Sequence, residues 1–138
     1  MTVATIKPPA NAPAAPGEWT LAQIVEALSK PLPSSVLEVK KIGGKAIQYV
    51  PWYRVVSLLN RYAPGWQWEI RSIHTTDSDL FIVGRLTIPT AEGTIYREAT
   101  GTNPLRDTNY GDASSNSESM AFRRAAAKFG LALHLYDR

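Results

Sequence analysis

Three cations crowd one short stretch near the end of the chain. In SMAFRRAAAKFGLALHLYD, Arg123, Arg124 and Lys128 stand among residues of buried type. Arg124 and Lys128 are four apart, so on a helix they share a face and repel unless an anion lies between them. Arg54 and Arg61 form a second group, with Tyr53 and Tyr62 beside them. Lys40, Lys41 and Lys45 form a third, around Gly43-Gly44. Cations interleaved with aromatic rings suit a single-stranded nucleic acid. The cations track phosphates, and the rings stack on bases at about 1–3 kcal/mol each. Each group also has a purely structural reading. Lone arginines decorate solvated helix faces, and lysines at a hairpin tip keep a sheet edge from pairing. The small residues Ala125 to Ala127 suit close approach of a ligand or of another element equally well.

Other chemistry is weakly supported. There is no cysteine, which excludes disulfides, thiolate metal sites and cysteine nucleophiles. No phosphate-binding glycine loop, nucleophile elbow or paired histidine helix motif is present. His74 and His134 lie far apart, and Asp77 and Asp79 in TTDSD read as turn formers. No catalytic residue, metal, cofactor or small-molecule substrate is therefore expected. The net charge of +3 permits an anionic partner without naming one. No apolar run approaches the length of a membrane span, so no membrane partner is expected. A secretory signal is not expected without an apolar h-region, nor a transit peptide in a tail without arginine.

The elements that must position these cations follow from periodicity. Residues 1–17, rich in Pro and Ala, read as a flexible tail; residues 18–138 read as one domain. TLAQIVEALSK is a helix with a capping box from Thr20 and Gln23, stopped by Pro31 and Pro33. VLEVKKIGGKAIQYV is a hairpin turning at Gly43-Gly44. PWYRVVSLLNRYAPGW is a helix with Trp52, Val55, Val56 and Leu59 as its apolar stripe. WQWEIRSIH, LFIVGRLTI and TIYREATG are three strands of an antiparallel meander. TNPLRDTNYGDASSNSES reads as a long polar loop. Ser115 and Glu118 form the capping box of a last helix, which buries Phe122, Ala125, Ala126 and Phe129 and stops at Gly130. The order is helix, hairpin, helix, three-stranded meander, helix: an α+β domain with a curved antiparallel sheet packed on helices.

Two of these stretches carry a family likeness. FRRAAAKFGLALHLYD resembles the C-terminal motif of the Rad-fifty-two-type single-strand annealing proteins, with its basic pair, small residues, Phe-Gly and aromatic end. YVPWYRVVSLLNRYAPGWQWEI looks like the second signature of that family, and the likeness covers roughly residues 18–138. Within the family it most resembles the bacterial DNA-damage-response protein DdrA and the Sak-type phage annealing proteins. The resemblance implies a homo-oligomeric ring, of about ten or more subunits, with single-stranded DNA in a basic outer groove. Phosphates would face inward and bases outward, and a complementary strand would pair without ATP. It carries a phosphate-binding role onto Arg54, the basic pair onto Arg123 and Arg124, and a groove aromatic onto Tyr62. It also implies a cytoplasmic protein of bacterial or phage origin. Departures are Ala127 where the family has a third base, followed by Lys128, and Ala132-Leu133-His134 where many phage relatives have Gly-Arg-Tyr. LTIPTAEGT is acidic where a second DNA site would need bases.

The expectation is a non-enzymatic protein that binds single-stranded DNA and anneals complementary strands or protects ends in recombinational repair. The residues expected to do so are Arg54, Arg61, Tyr62, Lys40, Lys41, Lys45, Arg123, Arg124 and Lys128. A double-stranded RNA-binding module, an interaction protein with an acidic partner and a small metal-dependent nuclease are the rivals.

Overall fold

The computed structural model describes residues 11–106 and 112–137. Helix α1 (Leu21–Leu28) starts at the expected capping box: the Thr20 hydroxyl accepts from the Gln23 amide, and the Gln23 side chain accepts from the Thr20 amide. A short 3-10 turn (Ser34–Val36) leads into the hairpin of β1 (Glu38–Ile42) and β2 (Lys45–Tyr49). Gly43 and Gly44 both take positive φ, 57° and 80°, which a two-residue turn of this hand requires. That turn pairs Ile42 with Lys45, and so Glu38 with Tyr49.

Helix α2 (Trp52–Tyr62) follows Pro51, which fixes the entry dihedral from the N-cap position. Its stripe is narrower than the sequence suggests. Val55 and Leu59 are fully buried, but Trp52 is 53% exposed. The sheet then runs β3 (Gln67–Thr75), β4 (Asp79–Thr90) and β5 (Gly93–Pro104), in the order β3-β4-β5, antiparallel throughout. A bulge between Ile70 and Ser72 shifts the β3 register, which accounts for the imperfect alternation of that strand.

Central strand β4 buries every second residue: Leu80, Ile82, Gly84, Leu86, Ile88 and Thr90. Helix α3 (Ala113–Ala127) packs on that face over β4 and β5. The approach is very close at Gly101, where a Cβ would fall 1.9 Å from the Ser117 carbonyl oxygen. The Ser117 hydroxyl, fully buried, donates to the Leu80 carbonyl. Phe122, Ala125, Ala126 and Phe129 join Val55, Leu59, Leu86 and Ile88 in the core. Gly130 ends this region at φ 104°, and a 3-10 turn (Leu133–Tyr136) carries the aromatic end.

The long loop proves shorter than expected at both ends. Strand β5 continues to Pro104, and α3 begins at Ala113 under an Asp112 cap rather than at Ser115. The Ser115 amide is itself the group that Asp112 caps, at 2.8 Å. Glu118 does not reach back to a cap, because its carboxylate accepts from Trp68 Nε1 at 2.9 Å. Residues 107–111 of that stretch, and residues 1–10 of the Pro/Ala-rich segment, lie outside the described residues. From Asn11 onward the latter segment lies in turns, and the Pro16 ring meets the space beside Gly65 and Pro89.

Candidate nucleic-acid interface

Rotation by about 100° per residue separates the basic pair of α3. Arg123 turns toward the hairpin and is half-buried; Arg124 and Lys128 turn toward the outer edge of β5. On the hairpin side, the Arg123 guanidinium lies 5.1 Å from the centroid of the Tyr49 ring, and Lys40 Nζ lies 5.3 Å from the same ring. Tyr136, from the last 3-10 turn, completes this corner and hydrogen-bonds Arg123. Together these groups and Arg124 line a cleft of about 180 Å³ between hairpin, α3 and the C-terminal turn. Burial pushes the Arg123 guanidinium below its ordinary value, yet arginine keeps its charge in neutral water.

Glu38 extends the corner to α2. Its carboxylate accepts from Tyr49 Oη and from Tyr53 Oη, each at 2.9 Å. Burial and this bond push the Tyr49 hydroxyl up, and the bond to Glu38 raises Tyr53. Arg54 lies 5.8 Å from the Tyr53 ring centroid. A continuous path of contacts thus runs from Arg54 through Tyr53, Glu38 and Tyr49 to Lys40 and Arg123. Cations at its two ends and rings between them make a surface that can meet a phosphate chain and its bases.

The other candidates fall elsewhere. Arg61 lies 5.3 Å from the Tyr62 ring at the far end of α2, and Tyr62 stacks on Trp19 at 6.3 Å between centroids. Seven residues of helix, about 10 Å, separate them from Arg54. Lys41 and Lys45 lie exposed at the hairpin tip. Arg124 donates to the Thr100 carbonyl at 3.2 Å, and Lys128 donates to the Glu98 carbonyl at 2.6 Å. Both carbonyls belong to β5, which among the described residues has a strand partner on one side only. Their closeness is met by backbone acceptors, so no bound anion is needed to explain it. Arg97 answers from β5: its guanidinium donates to the Lys128 carbonyl near the end of α3 and lies 4.7 Å from the Phe129 ring centroid.

Sequence reasoning missed Glu38, Tyr49 and Tyr136. The hairpin register would have paired the first two, since a turn at Gly43-Gly44 sets Glu38 opposite Tyr49. Nothing in the sequence pattern aims Tyr136 at Arg123. Among the described residues no group of three His, Asp or Glu side chains could hold a metal ion, and no helix is long and apolar enough to cross a membrane.

A family model described as "Rad52/22 family double-strand break repair protein" matches residues 20–138. The chain belongs to the Rad52/22 family. It is 43% identical over 118 residues to "DNA repair RAD52-like protein 1, mitochondrial" of Arabidopsis thaliana, covering 84% of this chain and 67% of that protein. It is 35% identical over 120 residues to "DNA repair RAD52-like protein 2, chloroplastic" of the same plant, covering 84% of this chain and 60% of that protein. The chain thus spans about two thirds of one relative and less of the other. DNA repair and recombination are the setting of the Rad52/22 family, as the resemblance implied. The cytoplasmic location and bacterial or phage origin implied with it do not stand: these relatives are plant proteins named for mitochondrion and chloroplast.

Proposed function

We propose that this Rad52/22 family chain binds single-stranded DNA along the surface from Arg54 to Arg123, and that copies of it assemble into a ring that anneals complementary strands without ATP. The observation that carries the reading is the Arg123 corner. A half-buried guanidinium is held between Tyr49 and Tyr136, beside Lys40, and joined through Glu38 to the start of α2. A cation fixed by packing loses little freedom when it meets a phosphate, whereas a freely solvated lysine loses more. Ring assembly would repeat a modest charge of +3 per chain into a band on which many weak contacts act together. In this reading Arg54, Lys40, Arg123 and Arg124 meet phosphates, and Lys41 and Lys45 steer the strand from the hairpin tip. Arg61 and Tyr62 lie at its margin, and Lys128 acts mainly on the sheet edge.

Light scattering with and without an oligonucleotide, followed by annealing of two complementary strands, tests this reading. A multi-subunit particle that binds single strands and speeds pairing without nucleotide supports it. A monomer that ignores single strands, or that prefers an A-form RNA duplex in competition, overturns it.

A further inference from the structure

The path from Arg54 to Arg123 passes through one carboxylate, Glu38, and a carboxylate has the wrong charge for a surface that meets phosphates. Its surroundings show the contrast. The cleft beside it is lined by Lys40, Arg123 and Arg124, and none of its lining residues among those described is acidic. Glu38 is exposed, and among the described residues no cation lies within ion-pair distance of it. Its two oxygens accept instead from neutral hydroxyls, Oε1 from Tyr49 and Oε2 from Tyr53, each at 2.9 Å. The hairpin register sets it opposite Tyr49, and the first turn of α2 brings Tyr53 to its other side.

The two rings that Glu38 holds are the ones that seat the cations. Arg123 and Lys40 lie 5.1 and 5.3 Å from the Tyr49 centroid, and Arg54 lies 5.8 Å from that of Tyr53. The negative charge is thus fixed between cations on either side. Holding two hydroxyls does not require that charge, because a neutral amide oxygen also accepts. What the ionised form adds is repulsion of phosphate at one point between attractive ones. Discrimination between partners commonly needs such a repulsive element.

A single strand and a duplex meet this point differently. A single strand can turn at each nucleotide and carry its phosphates past Glu38. A duplex stays straight over about 150 base pairs and carries a charge about every 1.7 Å of its axis. It cannot route its phosphates around one carboxylate, so it bears the repulsion.

We infer that Glu38 is a specificity-determining residue: its charge, held in place by Tyr49 and Tyr53, admits single-stranded DNA to the surface from Arg54 to Arg123 and disfavours duplex. The inference rests on the single-strand reading above and adds to it how the surface tells one strand from two.

The test uses the full chain with a single strand free of self-pairing and with the duplex of that strand. Glu38→Gln removes the charge and keeps an acceptor. It should bind duplex about fivefold more tightly than the native chain does, while single-strand affinity changes by about twofold at most. The gain on duplex should shrink as salt is raised, because an exposed charge is screened. Tyr53→Phe keeps the charge and its bond to Tyr49, so the preference for single strands should persist even if both affinities fall. Glu38→Gln with the native preference, or with both affinities weakened alike, would overturn the inference and leave the single-strand reading standing. Loss of the preference in Tyr53→Phe to the same extent as in Glu38→Gln would also overturn it, by assigning the preference to the ring rather than the charge. A native chain that binds neither form would remove both readings.

Discussion

Lys128 reaches across from the end of α3 to the Glu98 carbonyl of β5, 2.6 Å away, while Arg97 of β5 reaches back to the Lys128 carbonyl. Helix and strand exchange cations for carbonyls at this point. Lys128→Ala should therefore act on stability before it acts on binding. The expected loss is about 1 kcal/mol, since one exposed charged hydrogen bond is removed. Urea unfolding beside oligonucleotide titration checks this. Unchanged stability with a large loss of affinity would return Lys128 to the DNA surface.

Arg123→Ala and Arg54→Ala should each weaken binding to every single-stranded sequence and reduce the salt slope by roughly 0.7 for each phosphate no longer neutralised. Arg123→Lys should not rescue, because a lysine cannot keep a planar guanidinium over Tyr49 while bonding Tyr136. Affinity measured at several salt concentrations decides the point. A folded double variant with unchanged affinity would contradict the assignment.

Burial and the Glu38 bond raise Tyr49 above its ordinary value of 10.0, and the Glu38 bond raises Tyr53. The folded state thus holds these protons more tightly than the unfolded one. Their contribution to stability is complete below about pH 10 and disappears as pH rises through the folded values. Denaturant midpoints across that range should fall more steeply for the native chain than for Glu38→Ala. Parallel curves would show that the two hydroxyls are not coupled to folding through Glu38.

Asp112 shows the opposite sign. Its carboxylate accepts from the Ser115 amide and from two serine hydroxyls, which holds it below its ordinary value of 3.8. The stability it contributes is present above about pH 4 and is lost as pH falls through the lower folded value. Asp112→Asn keeps a good cap without the titration, so its midpoint should fall less on acidification. An identical acid profile would place the acid sensitivity elsewhere.

Gly101→Ala should be the most damaging single methyl. Its Cβ would press on the Ser117 carbonyl, which belongs to helix backbone and cannot rotate away. A loss of about 3 kcal/mol is expected from overpacking, read as a shift in unfolding midpoint. Gly84→Ala meets the Trp68 side-chain ring first rather than backbone, so it should cost less and should change tryptophan emission.

Local signals were legible wherever one contact decides the structure. Thr20 and Gln23 close their own capping box, Gly43-Gly44 fixes its own register, and Gly130 takes the positive φ that ends the last helical region. The start of α3 was not legible, because Asp112 and Ser115 both suit a cap. A tertiary bond from Trp68 to Glu118 removed the second option. Trp52 looks like core by its helical spacing, but only a view of what faces it shows that nothing covers half of the ring. The three cations of the last helix could be counted in the sequence. Their division between a hairpin corner and a strand edge depends on where β5 lies, and no local pattern carries that.

Arg124 and Lys128 leave the sheet with unequal flanks. Along β5 two backbone acceptors are already occupied by helix side chains; on the opposite flank β3 has β4 as its only strand neighbour among the described residues, and its side chains are mostly exposed. Another chain seeking to extend the ladder would find it blunted on one side and open on the other. In the proposed ring, edge-to-edge growth through β5 on both partners would be disfavoured, and strand addition would have a single preferred direction.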